Sequence, residues 1–110
     1  MIIRGSINYM IDEIRKKITN NLFEFSKHAV DQSIIRHISI RDFREAIMNG
    51  EIIEDYPNDK YGPSCLIFGY TNGLNRPLHI QSSYPIRRLI KIITLYEPDP
   101  EQWINLKERY

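Results

Sequence analysis

The stretch from Ser64 to Tyr96 narrows the possible folds more than any other part of the chain. It reads Ser-Cys-Leu-Ile-Phe-Gly-Tyr-Thr, then Pro-Leu-His-Ile-Gln-Ser-Ser, then Arg-Arg-Leu-Ile-Lys-Ile-Ile-Thr-Leu-Tyr, with turns around Asn72-Gly73 and Tyr84-Pro85. Ile, Leu, Phe and Tyr fill these runs because their side chains pack well on a pleated surface. Gly, Pro and Asn separate them because they suit turn dihedrals. Three consecutive strands joined by short connections pair as antiparallel neighbours. The stretch is also basic: from Lys60 to Tyr96 there are five Lys or Arg residues, one His and no Asp or Glu. Between Asp42 and Asp59, six acids accompany one base, Arg44. Such segregation gives a folded protein an acidic and a basic face, unless the strands interleave the two segments in space.

The rest of the chain supplies helices around this centre. Ile7, Ile11, Ile14 and Ile18 recur at helical spacing behind a capping Ser6. Leu22 to Phe25 reads as a short extended or linking piece. Ser26 starts a second helix through Arg36, with Ala29, Val30, Ile34 and His37 on its apolar face. Ser39 caps a third, with Asp42 completing the cap, Ile40, Phe43, Ala46 and Ile47 facing inward, and Gly50 in the left-handed terminating position. Glu51 to Tyr56 reads as an edge strand, because its acids discourage further pairing. Glu97-Pro98-Asp99-Pro100 ends the last strand, and a short final helix carries Trp103 and Leu106. The expected fold is α+β: N-terminal helices packed on one face of a four-stranded antiparallel sheet, with a short C-terminal helix, in a single domain over residues 1–110.

Composition excludes several functional classes. Net charge is +1, so overall charge points to no polyanionic partner. One cysteine, Cys65, cannot form an internal disulfide and suggests a reducing compartment. No apolar run approaches the roughly 18 residues of a membrane span, and the N-terminus lacks a signal-peptide core, so no membrane partner and a cytoplasmic location are expected. One Cys and three widely spaced His give no zinc pattern, and there is no phosphate-cradling glycine loop, so neither metal nor cofactor is expected.

The candidate functional residues are polar side chains on the expected sheet and second helix. Alternation along Pro77 to Ser83 places Leu78 and Ile80 on one face and His79, Gln81 and Ser83 on the other. His79 then points onto the open face, or bonds a neighbouring strand. His28, in the first helical turn with Gln32 one turn on, borders a groove with Arg36, about 12 Å further along the helix. On the last strand Arg88, Thr94 and Tyr96 share one face, and Arg87 and Lys91 the other. Histidines, cations and a tyrosine suit metal-free RNA cleavage, where the RNA supplies its 2′-hydroxyl as nucleophile and the protein supplies a base, an acid and cations over the phosphate. They suit plain RNA binding equally.

The chain resembles the small bacterial proteins grouped as domain of unknown function 4258. The likeness lies in Lys27-His28-Ala29, Arg36-His37-Ile38-Ser39, Asn49-Gly50 through Tyr56-Pro57, Pro77-Leu78-His79-Ile80, Ile92 to Asp99, and Trp103, in that order. The resemblance implies kinship with barnase/RelE-type metal-independent RNases and pairing with a small antitoxin bearing a zinc ribbon. It marks His28, Arg36, His79 and Tyr96 as catalytic candidates. Gln32, Arg88 and Lys91 would bind substrate. Gln32 stands where the family often has arginine; it can hydrogen-bond a phosphate but not neutralise it. The expected function is a toxin-type endoribonuclease, with a non-catalytic RNA- or protein-binding module as the alternative.

Overall fold

A computed structural model describes residues 4–73 and 75–110, with the side chains of residues 4–6 outside the description. Leu74, in the expected turn after Asn72-Gly73, lies outside the described residues. The order is α1 (Arg4–Thr19), β1 (Phe23–Phe25), α2 (Lys27–Ile35), α3 (Ile40–Asn49), β2 (Glu51–Tyr56), β3 (Ser64–Tyr70), β4 (Pro77–Ser83), β5 (Ile90–Tyr96), β6 (Trp103–Ile104) and β7 (Glu108–Arg109).

The sheet has five strands in the order β1-β5-β4-β3-β2 and is mixed, which corrects the expected four-stranded antiparallel sheet. The added strand is β1. Phe23-Glu24-Phe25 alternates apolar, acidic, apolar; both rings pack on Phe43, and the backbone pairs parallel to Ile90–Ile92. A three-residue strand is too short to announce itself by pattern. The neighbours β2–β3, β3–β4 and β4–β5 are antiparallel as expected, with β2 at the edge.

The expected C-terminal helix is a second correction. Trp103–Ile104 and Glu108–Arg109 form a small antiparallel hairpin. Asn105 and Leu106 take φ of 52° and 64°, the positive values that mirror-image hairpin turns require. A helix of so few residues would pay nucleation with little propagation to recover it.

One core lies between the helices and one face of the sheet. α1 contributes Ile11, Ile14 and Ile18, α3 contributes Phe43, Ala46 and Ile47, and the strands contribute Ile67, Leu78, Ile80, Ile90, Ile92 and Leu95. The helix starts follow the expected caps at two of three places. Ser26 accepts from the Ala29 N–H, and Ser39 forms a full capping box with Asp42. Helix α1 instead begins at Arg4, so Ser6 falls inside it. Gly50 is extended, with φ −79°. Helix α2 buries only Ala29; Val30 and Ile34 are exposed, contrary to the expected apolar face. Ile40 is likewise half-exposed.

Helix α3 approaches β3 closely at Gly69. A Cβ there would sit 1.9 Å from the Ala46 carbonyl oxygen. Gly69→Ala is therefore expected to lower unfolding stability by about 3 kcal/mol in urea titrations, at the upper end of ordinary overpacking costs. Unchanged stability would contradict this close packing.

Candidate functional site

The outer sheet face, away from the helices, carries the candidate site. Strand register lines up Phe68, His79 and Tyr96 as direct partners across β3, β4 and β5. The same alternation sends Leu78 and Ile80 to the core. His79 thus points to the face opposite the helices, as expected, but that face is not open there. The C-terminal hairpin lies over it. The Trp103 ring meets the His79 ring edge-on at 4.5 Å, Phe68 and Tyr96 flank it, and His79 is completely buried.

The hydrogen bonds of His79 define its tautomer. Nε2 lies 2.6 Å from the Leu106 carbonyl oxygen, which can only accept, so Nε2 carries the proton. Nδ1 then accepts from the Tyr96 hydroxyl at 3.3 Å. Burial lowers the His79 pKa below its ordinary 6.5, partly offset by the bond to Leu106. Burial also raises the Tyr96 phenol above its ordinary 10. The pair is neutral near pH 7, with the phenol's only proton turned toward the imidazole.

The hairpin is tied at its sides as well. Lys107 Nζ lies 2.8 Å from Glu51, and Arg109 Nε lies 3.0 Å from Glu54, both acids on the outer face of β2. The Arg109 guanidinium sits 4.5 Å from the centre of the Trp103 ring. Where the hairpin meets the end of α2, a cleft of about 360 Å³ opens. Arg36, Tyr96, Gln102 and Arg109 line it, with the carboxylates of Glu97 and Asp99. Arg36 is the C-terminal cap of α2, and its Nε donates to Gln32 Oε1 at 2.7 Å. Arg76 holds that helix end in place: its guanidinium donates to the carbonyls of Arg36 and His37 and pairs with Glu97.

Comparison with known families decides the kinship. A family model described as domain of unknown function (DUF4258) matches residues 25–97, more than half of the 110-residue chain. The chain belongs to this family. No curated protein and no solved structure matches. The DUF4258 match runs from the end of β1 to just past β5. It includes His28, Gln32, Arg36, His79 and Tyr96 and excludes α1 and the C-terminal hairpin. The cleft of this DUF4258 protein therefore joins residues inside the matched region to Gln102 and Arg109 beyond it.

The other candidates fall elsewhere. His28 is exposed near the start of α2 and does not line the cleft. Arg88 sits in the loop before β5, where its carbonyl accepts from Lys17 Nζ. Lys91 is on the outer face of β5, 3.8 Å from Glu24. Its expected separation from Thr94 and Tyr96 is corrected by a bulge: register shifts between Gln81↔Thr94 and Ser82↔Ile92, which leaves Ile93 as the extra residue. The bulge resets the alternation, so Ile90, Ile92 and Leu95 all face the core. Cys65 is buried and its thiol is pushed up to about 12, so it is no nucleophile at neutral pH.

A lowered His79 pKa makes acid destabilising. Between the folded pKa and 6.5 the unfolded chain binds a proton that the folded chain does not, so this contribution to stability is complete above pH 6.5 and lost as pH falls below it. Wild-type protein is expected to lose stability in urea titrations as pH falls below 6.5, with a slope from this group that cannot exceed about 1.4 kcal/mol per pH unit and is about half that at pH 6.5 itself. His79→Gln, less stable throughout, should lack that part of the slope. An equal slope in both would contradict the buried neutral imidazole.

Proposed function

We propose that this DUF4258 protein binds RNA, with a phosphodiester held in the cleft of Arg36, Tyr96 and Arg109. The observation that carries this reading is the convergence of two guanidinium groups and a phenol from α2, β7 and β5 in one polar cleft. Guanidinium suits phosphate because its planar fork matches two oxygens at once. Tyr96 adds selectivity for RNA. Its proton goes to His79, so its oxygen presents lone pairs toward the cleft, where a ribose 2′-hydroxyl can donate to them. His79 acts through Tyr96 rather than on substrate.

Binding is favoured over cleavage by the placement of the histidines. Neither His28 nor His79 lines the cleft, so the proton donor that a leaving 5′-oxygen needs is not placed there. One observation keeps the toxin-type endoribonuclease as the second reading. The Tyr96–His79 hydrogen bond is a path by which a 2′-hydroxyl proton, taken by Tyr96, would be passed on as the phenol's own proton moves to Nδ1. On that reading an antitoxin-like protein partner would act by covering the cleft.

Fluorescence anisotropy with a short single-stranded RNA and its DNA counterpart tests both readings. Wild-type protein is expected to bind RNA with salt-sensitive affinity. Arg36→Ala should weaken binding at least about tenfold, and Tyr96→Phe should erase the preference for RNA over DNA. No retention of RNA at low salt would sink the binding reading. Cleavage in EDTA that Tyr96→Phe abolishes would favour the nuclease.

A further inference from the structure

A second cleft, of about 560 Å³, lies at the β1 end of the same outer sheet face. Its size falls within the range of small-molecule sites. Ser83 of β4 and Lys91 and Ile93 of β5 form its floor, and the loops before β3 and before β5 form its walls. Three large apolar side chains are exposed around it: Tyr61 at 85%, Ile86 at 72% and Leu89 at 39%. Exposed apolar side chains scattered singly need no explanation, but here they converge on one concavity. The β5 bulge serves this site, since it leaves Ile93 half-buried at the cleft floor while its neighbour Ile92 stays in the core.

Charge around the cleft narrows the occupant. Lys91 is more than half exposed and held only by the long contact with Glu24, and Arg87 has no partner among the described residues. Lys60 Nζ sits 4.9 Å from the centre of the Tyr61 ring. Cations beside an exposed ring and aliphatic walls suit a flat apolar body that carries an anion. The carboxylates of Glu24 and Asp59 also line the cleft, where each can accept from N–H donors on whatever enters. A fatty acid or simple aromatic acid brings none; uracil brings one, its N3–H, whereas an amino-bearing nucleobase brings two on its NH2 group, enough for both carboxylates.

We propose that this cleft is a nucleobase subsite. It stacks a base against Tyr61, Ile86 and Leu89, pairs the phosphate with Lys91 and Arg87, and prefers amino-bearing bases over uracil. The assignment of that base to an RNA strand rests on the RNA-binding reading above. Lys91 and Tyr96 both face outward on β5, about 16 Å apart at the strand rise. One single strand lying along β5 therefore reaches both clefts, with phosphate and ribose at Arg36 and Tyr96 and a base at Tyr61.

Titration of the 15N-labelled full chain with AMP, GMP, CMP, UMP and ribose 5-phosphate, followed by NMR, tests the subsite apart from RNA. AMP, GMP and CMP are expected to shift the Ser83, Leu89 and Ile93 amides saturably, with UMP weaker and ribose 5-phosphate weaker still. Tyr61→Ala, at a side chain too exposed to matter for folding, should weaken AMP at least about fivefold. Lys91→Ala should also weaken AMP, while Arg36→Ala leaves these shifts in place. The subsite is overturned if ribose 5-phosphate matches AMP, if no nucleotide moves these amides, or if an acidic peptide moves them and nucleotides do not. Nucleotide shifts in a protein that holds no RNA would keep the subsite and discard the RNA assignment.

Discussion

The outer half of this molecule depends on one hydrogen bond, from His79 Nε2 to the Leu106 carbonyl. Leu106 adopts a left-handed backbone conformation that costs a residue with a Cβ about 1–2 kcal/mol. That conformation closes the C-terminal hairpin. A buried donor offsets its cost, and the ring carrying that donor is packed by Trp103, Phe68 and Tyr96. Without the bond, the two-by-two-residue hairpin is held on the sheet by Trp103 packing and by the exposed Lys107–Glu51 and Arg109–Glu54 pairs, which are worth little in water. With it, Arg109 and Gln102 are set beside Arg36 and Tyr96, and a cleft exists. The imidazole is thus a positioning group whose two nitrogens serve different ends, one anchoring the hairpin and the other orienting the Tyr96 phenol.

The sheet divides its work between its faces. The helix side is apolar and closely packed, to the point that Gly69 is needed for α3 to fit. The outer side is polar and unevenly covered. The hairpin closes one end and leaves the cleft beside α2; loops frame a second cleft at the other end. β5 joins the two, and its bulge at Ile93 lets one strand supply both core residues and outward polar ones. The basic character of the central strands is divided accordingly. Lys91 and Arg87 border the second cleft, while Arg76 is spent on the end of α2.

The sequence was most legible where a local pattern had a single physical meaning. The Ser39–Asp42 capping box, the Ile11–Ile14–Ile18 stripe, the alternation along β4 and the two hairpins of β3–β4–β5 all follow from short-range rules. The failures share a cause as well. β1 gains its strand character only from its parallel partner β5, nearly seventy residues away. The bulge at Ile93 breaks a parity that sequence counting assumes, so Lys91 shares the face of Thr94 and Tyr96 and not the opposite one that counting gives. The hairpin turn places a leucine at positive φ, which no propensity favours, and the carbonyl of that leucine accepts from His79. Of the candidates named from the sequence, Arg36 and Tyr96 line one cleft. Arg109 and Gln102 were missed because they belong to the hairpin read as helix, and His28 faces solvent away from the cleft.

The proposed RNA site takes in both the hairpin and the end of α2. The most direct measurement is an NMR map of a short single-stranded RNA on the full chain. Concurrent, saturable shifts are expected at Arg36, Tyr96, Gln102 and Arg109, drawn from elements that only the hairpin's placement brings together. Shifts confined to the start of α2 around His28, with the hairpin unmoved, would contradict it.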